Sequence, residues 1–167
     1  AYIEKILSDV KLSRPIKVAV DAGNGIAGPL AVKLLTKLGA EVTEMFTNVD
    51  GNFPNHHPDP SKPENLVDLQ AQLKSGDEEI GVAFDGDGDR LGVVAKDGEI
   101  IFPDRQAMLF AGDILAHKKG SVIVHDVKCT RNIRLFVESR GGVCVMSKTG
   151  HSLIKAKMKE VNADFAG

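Results

Sequence analysis

Two stretches of the chain, residues 16–46 and 121–147, follow one plan. Each begins with a valine-rich strand that has an aspartate near its end, continues through a helix, and reaches a glycine that leads into a second strand. Alternating strands and helices are typical of α/β folds, in which helices cover the faces of a sheet. The sequence therefore predicts an α/β protein with two similar consecutive domains, residues 1–99 and 100–167.

The remaining periodicity completes this outline. Helices are predicted at residues 2–10, 28–38, 64–73, 103–117 and 130–139, with a last helix from Gly150. Strands are predicted at residues 16–20, 41–46, 80–84, 91–94, 99–102, 121–126 and 143–147, and another strand begins at Ala163. The lysines of the last helix, at positions 155, 157 and 159, are interpreted as a solvated helix face.

The composition is that of an ordinary globular protein. The chain has 167 residues, of which 43% are hydrophobic, and a formal net charge of −2. A near-neutral chain without Trp offers neither a broad basic surface nor many stacking platforms for nucleic acid. No apolar run approaches membrane-spanning length, and the N-terminus lacks the apolar core of a signal peptide. We therefore expect a cytoplasmic protein that binds neither nucleic acid nor membrane.

The chain has two cysteines, Cys129 and Cys144, and they form no C-x-x-C pair. Two thiols in a chain of this size favour a reducing compartment over a disulfide framework. Lys128 precedes Cys129, and a neighbouring cation lowers a thiol pKa. Even so, we interpret Cys129 as a buried or inert thiol.

Residues 85–90 read DGDGDR and directly follow a predicted buried strand. Three carboxylates at such close spacing repel one another, and a bound cation relieves that repulsion. Oxygen-only ligands favour a hard ion such as Mg²⁺ or Ca²⁺, and the intervening glycines let the backbone aim all three acids at one point. The sequence therefore predicts a magnesium site formed by Asp85, Asp87 and Asp89.

The acidic loop has three other interpretations. Asp-Gly pairs are common in plain solvent-exposed turns. An EF-hand requires glycine at its sixth position and glutamate at its twelfth, where this loop has Arg90 and Lys96, and it requires flanking helices instead of strands. A cation-binding module without catalytic function stays open as an alternative.

Residues 23–28 read GNGIAG, which satisfies the dinucleotide-binding pattern G-x-G-x-x-G between a strand and a helix. The acid that would hold the ribose is not at the end of the next strand, where Asn48 stands. Asp21 also places a negative charge beside the expected phosphate position. We therefore favour a tight strand-to-helix turn, with an NAD-dependent oxidoreductase as the alternative.

The segment from Asn48 to Pro63 contains four prolines, which predicts a long irregular loop. Its adjacent histidines, His56 and His57, are unsuited to reach one metal ion together. We interpret them as residues that pack the loop or bind it through hydrogen bonds.

The acidic loop resembles the metal-binding loop of the α-D-phosphohexomutases. Three companion motifs are similar to those of the bacterial phosphomannomutase/phosphoglucomutase branch: DGNFPNHHPDP at 50–60, DVKCT at 126–130 and KTGHS at 148–152. The resemblance extends over essentially the whole chain. It implies two consecutive, similar α/β domains with mixed sheets. They would correspond to the second and third of four domains, with the third domain truncated.

The resemblance also implies an activity: reversible conversion of mannose or glucose 1-phosphate and 6-phosphate through an enzyme phosphoserine and a sugar 1,6-bisphosphate. Asp85, Asp87 and Asp89 would hold Mg²⁺ together with a phosphoserine oxygen. Arg90 would be catalytic beside that phosphoserine, whereas Lys128 and His151 would bind the sugar phosphate. The serine-bearing loop is not found in these residues, so we expect the segment to need the remaining domains of its parent chain and to be inactive alone.

Overall fold

The protein is described by a computed structural model over residues 2–167. It divides into two compact units, one that ends at Ile101 and one that runs from Phe102 to Gly167. Both units alternate strands with helices, so the α/β class predicted from the sequence is confirmed. Over residues 2–167, none of the helices combines the length and the apolar character needed to cross a membrane.

The first unit is built on a five-stranded mixed sheet. Its strands are β1 (Lys17–Asp21), β2 (Glu41–Met45), β3 (Ile80–Phe84), β4 (Leu91–Ala95) and β5 (Ile100–Ile101). Its helices are α1 (Tyr2–Asp9), α2 (Gly28–Lys37) and α3 (Val67–Ser75), the last preceded by a 3-10 turn at Pro63–Leu66. The strand order is β2-β1-β3-β4-β5, in which β1 is parallel to both neighbours and the remaining pairs are antiparallel.

Both faces of β1 are covered, which explains its continuous apolar sequence. Ala19 faces one core cluster with Leu66, Leu69 and Leu73 from the 3-10 turn and α3. Val18 and Val20 belong to a second cluster, against which α2 packs. Each of these leucines is at most 1% exposed, and burying such a side chain contributes about 1.5–3 kcal/mol. This rigid centre fixes the carboxyl ends of β1 and β3.

The second unit has a three-stranded parallel sheet in the order β7-β6-β8. Its elements are α4 (Pro103–His117), β6 (Val122–Asp126), α5 (Asn132–Ser139), β7 (Val143–Ser147), α6 (His151–Val161) and β8 (Phe165–Ala166). Helices α4 and α5 form the core with Ile123 of the central strand. Proline at the first position of α4 suits a helix start, and this helix has the predicted bounds.

The repeated plan in the sequence corresponds to a repeated topology. In each unit the central parallel strand, β1 or β6, lies between the strand that follows it and a later strand, β3 or β8. Most predicted boundaries differ from the observed ones by one or two residues. The largest difference is at 64–73, where the chain forms a 3-10 turn before the α-helix and the helix extends to Ser75.

Candidate functional site

The structure gathers the three aspartates of the acidic loop, which joins β3 to β4. Oxygen atoms of Asp85, Asp87 and Asp89 all lie within 4.8 Å of one another. The loop turns back through a hydrogen bond from the Gly88 amide to the Asp85 carbonyl at 3.1 Å, and Gly88 has a φ of +77°, which favours glycine. Two oxygens on one Mg²⁺ ion are at most about 4 Å apart, so a small inward movement of the exposed side chains would bring this set to binding distance.

Arg90 holds the buried member of the cluster. Its Nε donates to Asp85 Oδ2 at 2.6 Å, and its backbone amide donates to Asp85 Oδ1 at 3.0 Å. Burial raises the pKa of Asp85, but the hydrogen bonds from Arg90 outweigh it, so the pKa lies below its usual range. The Arg90 side chain is 59% exposed and also approaches Asp59 at 3.4 Å. The Asp85 carboxylate is therefore ionised and held in one position, and part of the guanidinium stays accessible.

The outer members of the cluster carry unrelieved repulsion. The charge of Asp87, followed by a hydrogen bond with Asp85, raises the pKa of Asp89. Such a shift means that the loop resists holding three negative charges by itself. An oxygen-only donor set with excess negative charge fits a small divalent cation such as Mg²⁺.

The glycine-rich turn at residues 23–28 supports the acidic loop from one side. The Ile26 amide donates to the Gly86 carbonyl at 3.1 Å. A Cβ atom at Gly25 would lie 2.9 Å from that carbonyl oxygen, and one at Gly88 would lie 2.8 Å from Ala27 Cβ. These glycines are therefore needed because the two loops approach each other closely.

The same turn has no amides available for a pyrophosphate among residues 23–26. The first of these amides donates to the Asp21 carboxylate at 2.9 Å. The next three donate, in chain order, to the carbonyls of Phe46, Ala22 and Gly86 at 2.8, 2.7 and 3.1 Å. A dinucleotide site relies on such amides to bind phosphate oxygens. The geometry thus supports the structural interpretation of this motif over the oxidoreductase alternative.

The proline-rich loop lies over the other side of this region, attached through His56. His56 Nε2 is 3.0 Å from Asp21 Oδ2, and Nδ1 is 3.0 Å from the His57 carbonyl. The His56 ring also packs edge-on against Phe46, with 5.4 Å between centroids. The sequence interpretation of the histidine pair as loop-packing residues agrees with these contacts for His56. The partner Asp21 was missed, although its position at a strand end was a signal.

In the second unit, Lys128 and His151 are both exposed at the carboxyl edge of the sheet. Lys128 follows β6 by two residues, and His151 is the first residue of α6, shortly after β7. Between the two strands, Asp126 pairs in register with Ser147. A cavity of about 560 Å³ opens at this edge, and its lining includes Arg105, Asp126 and Lys128.

The two thiols of the second unit are half-buried and free. Burial raises the pKa of both Cys129 and Cys144 above the ordinary value, despite the nearby Lys128. A thiol with a raised pKa is a poor nucleophile at neutral pH. Burial therefore disfavours the reactive thiolate form of both cysteines.

Comparison with known proteins matches both units to one family. The model for phosphoglucomutase/phosphomannomutase α/β/α domain II matches residues 1–98, and the model for domain III matches residues 102–167. A phosphoglucomutase from Neisseria gonorrhoeae is 60% identical over the whole chain, and a phosphomannomutase/phosphoglucomutase from Pseudomonas putida is 55% identical over 99% of it. A crystal structure of a phosphoglucomutase/phosphomannomutase family protein from Burkholderia thailandensis covers 99% of the chain at 61% identity, with a TM-score of 0.96.

The chain thus has the class of fold that these matches describe: two consecutive α/β/α domains, with the acidic loop after a buried strand of the first. The chain belongs to the phosphoglucomutase/phosphomannomutase family. The resemblance drawn from the sequence motifs is thereby confirmed. The chain spans 36% of the length of each of these three relatives.

Proposed function

We propose that this chain is the metal-binding segment of a hexose-phosphate mutase. The whole protein would move a phosphoryl group reversibly between the 1- and 6-positions of glucose or mannose, through an enzyme phosphoserine and a 1,6-bisphosphate. The observation that carries this proposal is the gathered carboxylate cluster with Arg90 bonded to its buried member. Family membership supports it, since the relatives named above are phosphoglucomutases and phosphomannomutases.

In this proposal Asp85, Asp87 and Asp89 hold Mg²⁺, which when bound neutralises charge on phosphoryl oxygens. Asp85 keeps its negative charge because Arg90 stabilises it. Asp89, whose pKa is raised, would bind the cation in its deprotonated form. Arg90 is bonded to Asp85 through Nε and approaches Asp59 through Nη1, and the rest of its guanidinium stays accessible. A guanidinium held in this way suits the planar, multidentate recognition of phosphate.

Lys128 and His151 bind the sugar phosphate in this proposal. Both are exposed at the carboxyl edge of a parallel sheet, which is where open α/β sheets bind ligands. Lys128 contributes a point charge to the cavity that it lines, and His151 a ring nitrogen at the start of α6. A cytoplasmic location, which suits the two free thiols, is part of the same proposal.

The metal site is tested by titrating Mg²⁺ into the 15N-labelled chain and into Asp87→Asn. We expect weak binding, because the phosphoserine ligand is not among these residues, with amide shifts centred on 85–90. Asp87→Asn should abolish those shifts. Asp97→Asn is the matched control, since it removes an exposed aspartate from a β-turn of the same unit and should bind like the wild type. Equal binding by Asp87→Asn would contradict the site, and a strong preference for Ca²⁺ would favour a non-catalytic cation module.

The activity is tested by assaying conversion of glucose 1-phosphate to glucose 6-phosphate. A full-length protein that contains this chain should turn over in the presence of Mg²⁺, and a preparation of the 167 residues alone should not. An inactive full-length protein would overturn the proposed function. Turnover by the 167-residue chain would overturn only its predicted inactivity.

A further inference from the structure

One carboxylate joins the two loops that carry Lys128 and His151. Asp126 is the last residue of β6, and its Oδ1 accepts hydrogen bonds from the Lys128 amide at 2.8 Å and from the Thr149 hydroxyl at 2.8 Å. Each loop is therefore attached to the same oxygen atom. Lys128 donates one of these hydrogen bonds through its own amide, and His151 lies two residues after Thr149, which donates the other.

The backbone strengthens this junction. The Val127 amide donates to the Ser147 carbonyl at 3.0 Å, which connects the starts of the two loops directly. The Cys129 amide donates to the Asp126 carbonyl at 3.0 Å and closes the turn that carries Lys128. The side-chain hydrogen bond between the Thr149 loop and Asp126 comes from the Thr149 hydroxyl, which can be removed with little effect on the turn that carries Lys128.

The same arrangement is repeated at the equivalent place in the first unit. Asp21 is the last residue of β1, and its Oδ1 accepts a hydrogen bond from the amide two residues onward, Gly23, at 2.9 Å. Its second partner, His56, also comes from the loop after the neighbouring parallel strand. In both units, therefore, an aspartate at the end of the central strand joins two loops at the carboxyl edge of the sheet.

We infer that Asp126 is a positioning residue of the sugar-phosphate site, which holds the loops of Lys128 and His151 in one arrangement before substrate binds. The inference rests on the proposed function. Asp126 does not bind the phosphate itself, because a carboxylate would repel that anion. Its effect is to place two exposed cationic or hydrogen-bonding groups together and to reduce the entropy that substrate binding would otherwise have to overcome.

The decisive variants act on Thr149, because they leave the carboxylate in place. In the full-length protein, Thr149→Val should raise KM for glucose 1-phosphate by roughly 3- to 10-fold, the effect of one hydrogen bond, with a smaller change in kcat. Thr149→Ser keeps the hydroxyl and should restore KM to near the wild-type value. Asp126→Ala should raise KM further and lower kcat/KM by up to about 100-fold.

Asp164→Ala is the matched control for a purely structural effect. Asp164 also joins a backbone amide, that of Val122 at 3.1 Å, to a second group, the Lys118 ammonium, but at the opposite edge of the same sheet. Its loss should destabilise the unit without changing KM. If Asp164→Ala raises KM as much as Asp126→Ala, or if Thr149→Val binds substrate like the wild type, the inference is wrong.

A second readout separates this inference from the proposed function. In the 167-residue chain, Thr149→Val should shift the Lys128 amide resonance and speed its hydrogen exchange, whereas Thr149→Ser should not. That result would support the link between the loops even if the full-length protein had no mutase activity. An unchanged Lys128 amide in Thr149→Val would overturn the link in a protein that is fully active.

Discussion

Asp21 and Asp126 occupy equivalent positions in the two units but lie in different surroundings. Each ends the central parallel strand, and each carboxylate accepts the amide hydrogen of the residue two positions onward. Asp21 is 0% exposed and contacts an imidazole, whereas Asp126 is half-buried at the mouth of a cavity and contacts a hydroxyl. The position in the fold is the same, and the degree of burial is not.

The difference follows from the length of one connection. In the first unit, residues 46–62 separate β2 from the next helical turn, and this long proline-rich loop folds over Asp21 through His56. In the second unit, only residues 148–150 separate β7 from α6, which is too short to cover Asp126. The Asp21 carboxylate is therefore enclosed by the loop, whereas the Asp126 carboxylate lies beside an open cavity.

This contrast explains why the acidic loop is the better organised of the two candidate sites. Pro58 from the covering loop packs near Gly23 and Gly86, and Asp59 approaches Arg90. The aspartates of the acidic loop are thus supported from two sides. Lys128 and His151 are both exposed in the second unit, and their loops are joined by the Asp126 carboxylate and by the hydrogen bond between the Val127 amide and the Ser147 carbonyl.

The largest expected effect is on stability, and it distinguishes the two aspartates. Asp21→Ala leaves the Gly23 amide and the His56 ring without their buried hydrogen-bond partner and should lower the free energy of unfolding by about 3 kcal/mol. Asp126→Ala removes hydrogen bonds at a half-exposed site and should cost about 1 kcal/mol. Native-state hydrogen exchange at amides of β1 and β6 measures the two losses separately in their own units.

Each variant is the control for the other, because the backbone position and the substitution are the same. The comparison fails if both substitutions reduce protection equally. It also fails if Asp126→Ala has the larger effect. Either result would mean that burial under the proline-rich loop contributes nothing to the role of Asp21.

Local features of the fold and of the acidic loop were predictable from the sequence. Strand and helix patterns depend on neighbouring residues, and the three aspartates lie within five positions of one another, so their convergence follows from a single glycine-containing turn. The arginine that closes this turn bonds to Asp85 only five positions away. Such short-range relations need no knowledge of strand pairing.

The links between loops were not predictable, because they depend on the register of parallel strands. Asp21 and His56 are 35 positions apart, and Asp126 and Thr149 are 23 apart. Each pair meets only because β1 lies beside β2 and β6 beside β7. A signal was present in the repeated plan, since an aspartate closes the first strand of both repeats. Its partners could not be identified without the pairing.

The smallest expected effect is on titration, because the pKa shifts of the two aspartates should have opposite signs. Burial, opposed in part by His56 and Gly23, raises the pKa of Asp21 above 3.8. The hydrogen bond from the Lys128 amide, opposed by burial and assisted by Thr149, lowers the pKa of Asp126 below 3.8. The stabilisation from Asp126 is complete above pH 3.8 and is lost as pH falls through its lower folded pKa. The contribution of Asp21 runs the other way, because its folded state retains a proton that the unfolded chain releases, so stability falls as pH rises from 3.8 through the raised pKa.

Carboxyl 13C shifts followed by NMR against pH measure both values in one sample. We expect Asp21 to titrate above 3.8 and Asp126 below it. Replacing the second partner sharpens the test, since His56→Ala and Thr149→Val each remove a contact that lowers the pKa of its aspartate. Both pKa values should then rise, and the rise of Asp21 should be larger because its surroundings exclude water and strengthen the lost interaction. Titration of both wild-type aspartates on the same side of 3.8 would show that the covering loop does not set the electrostatic difference between them.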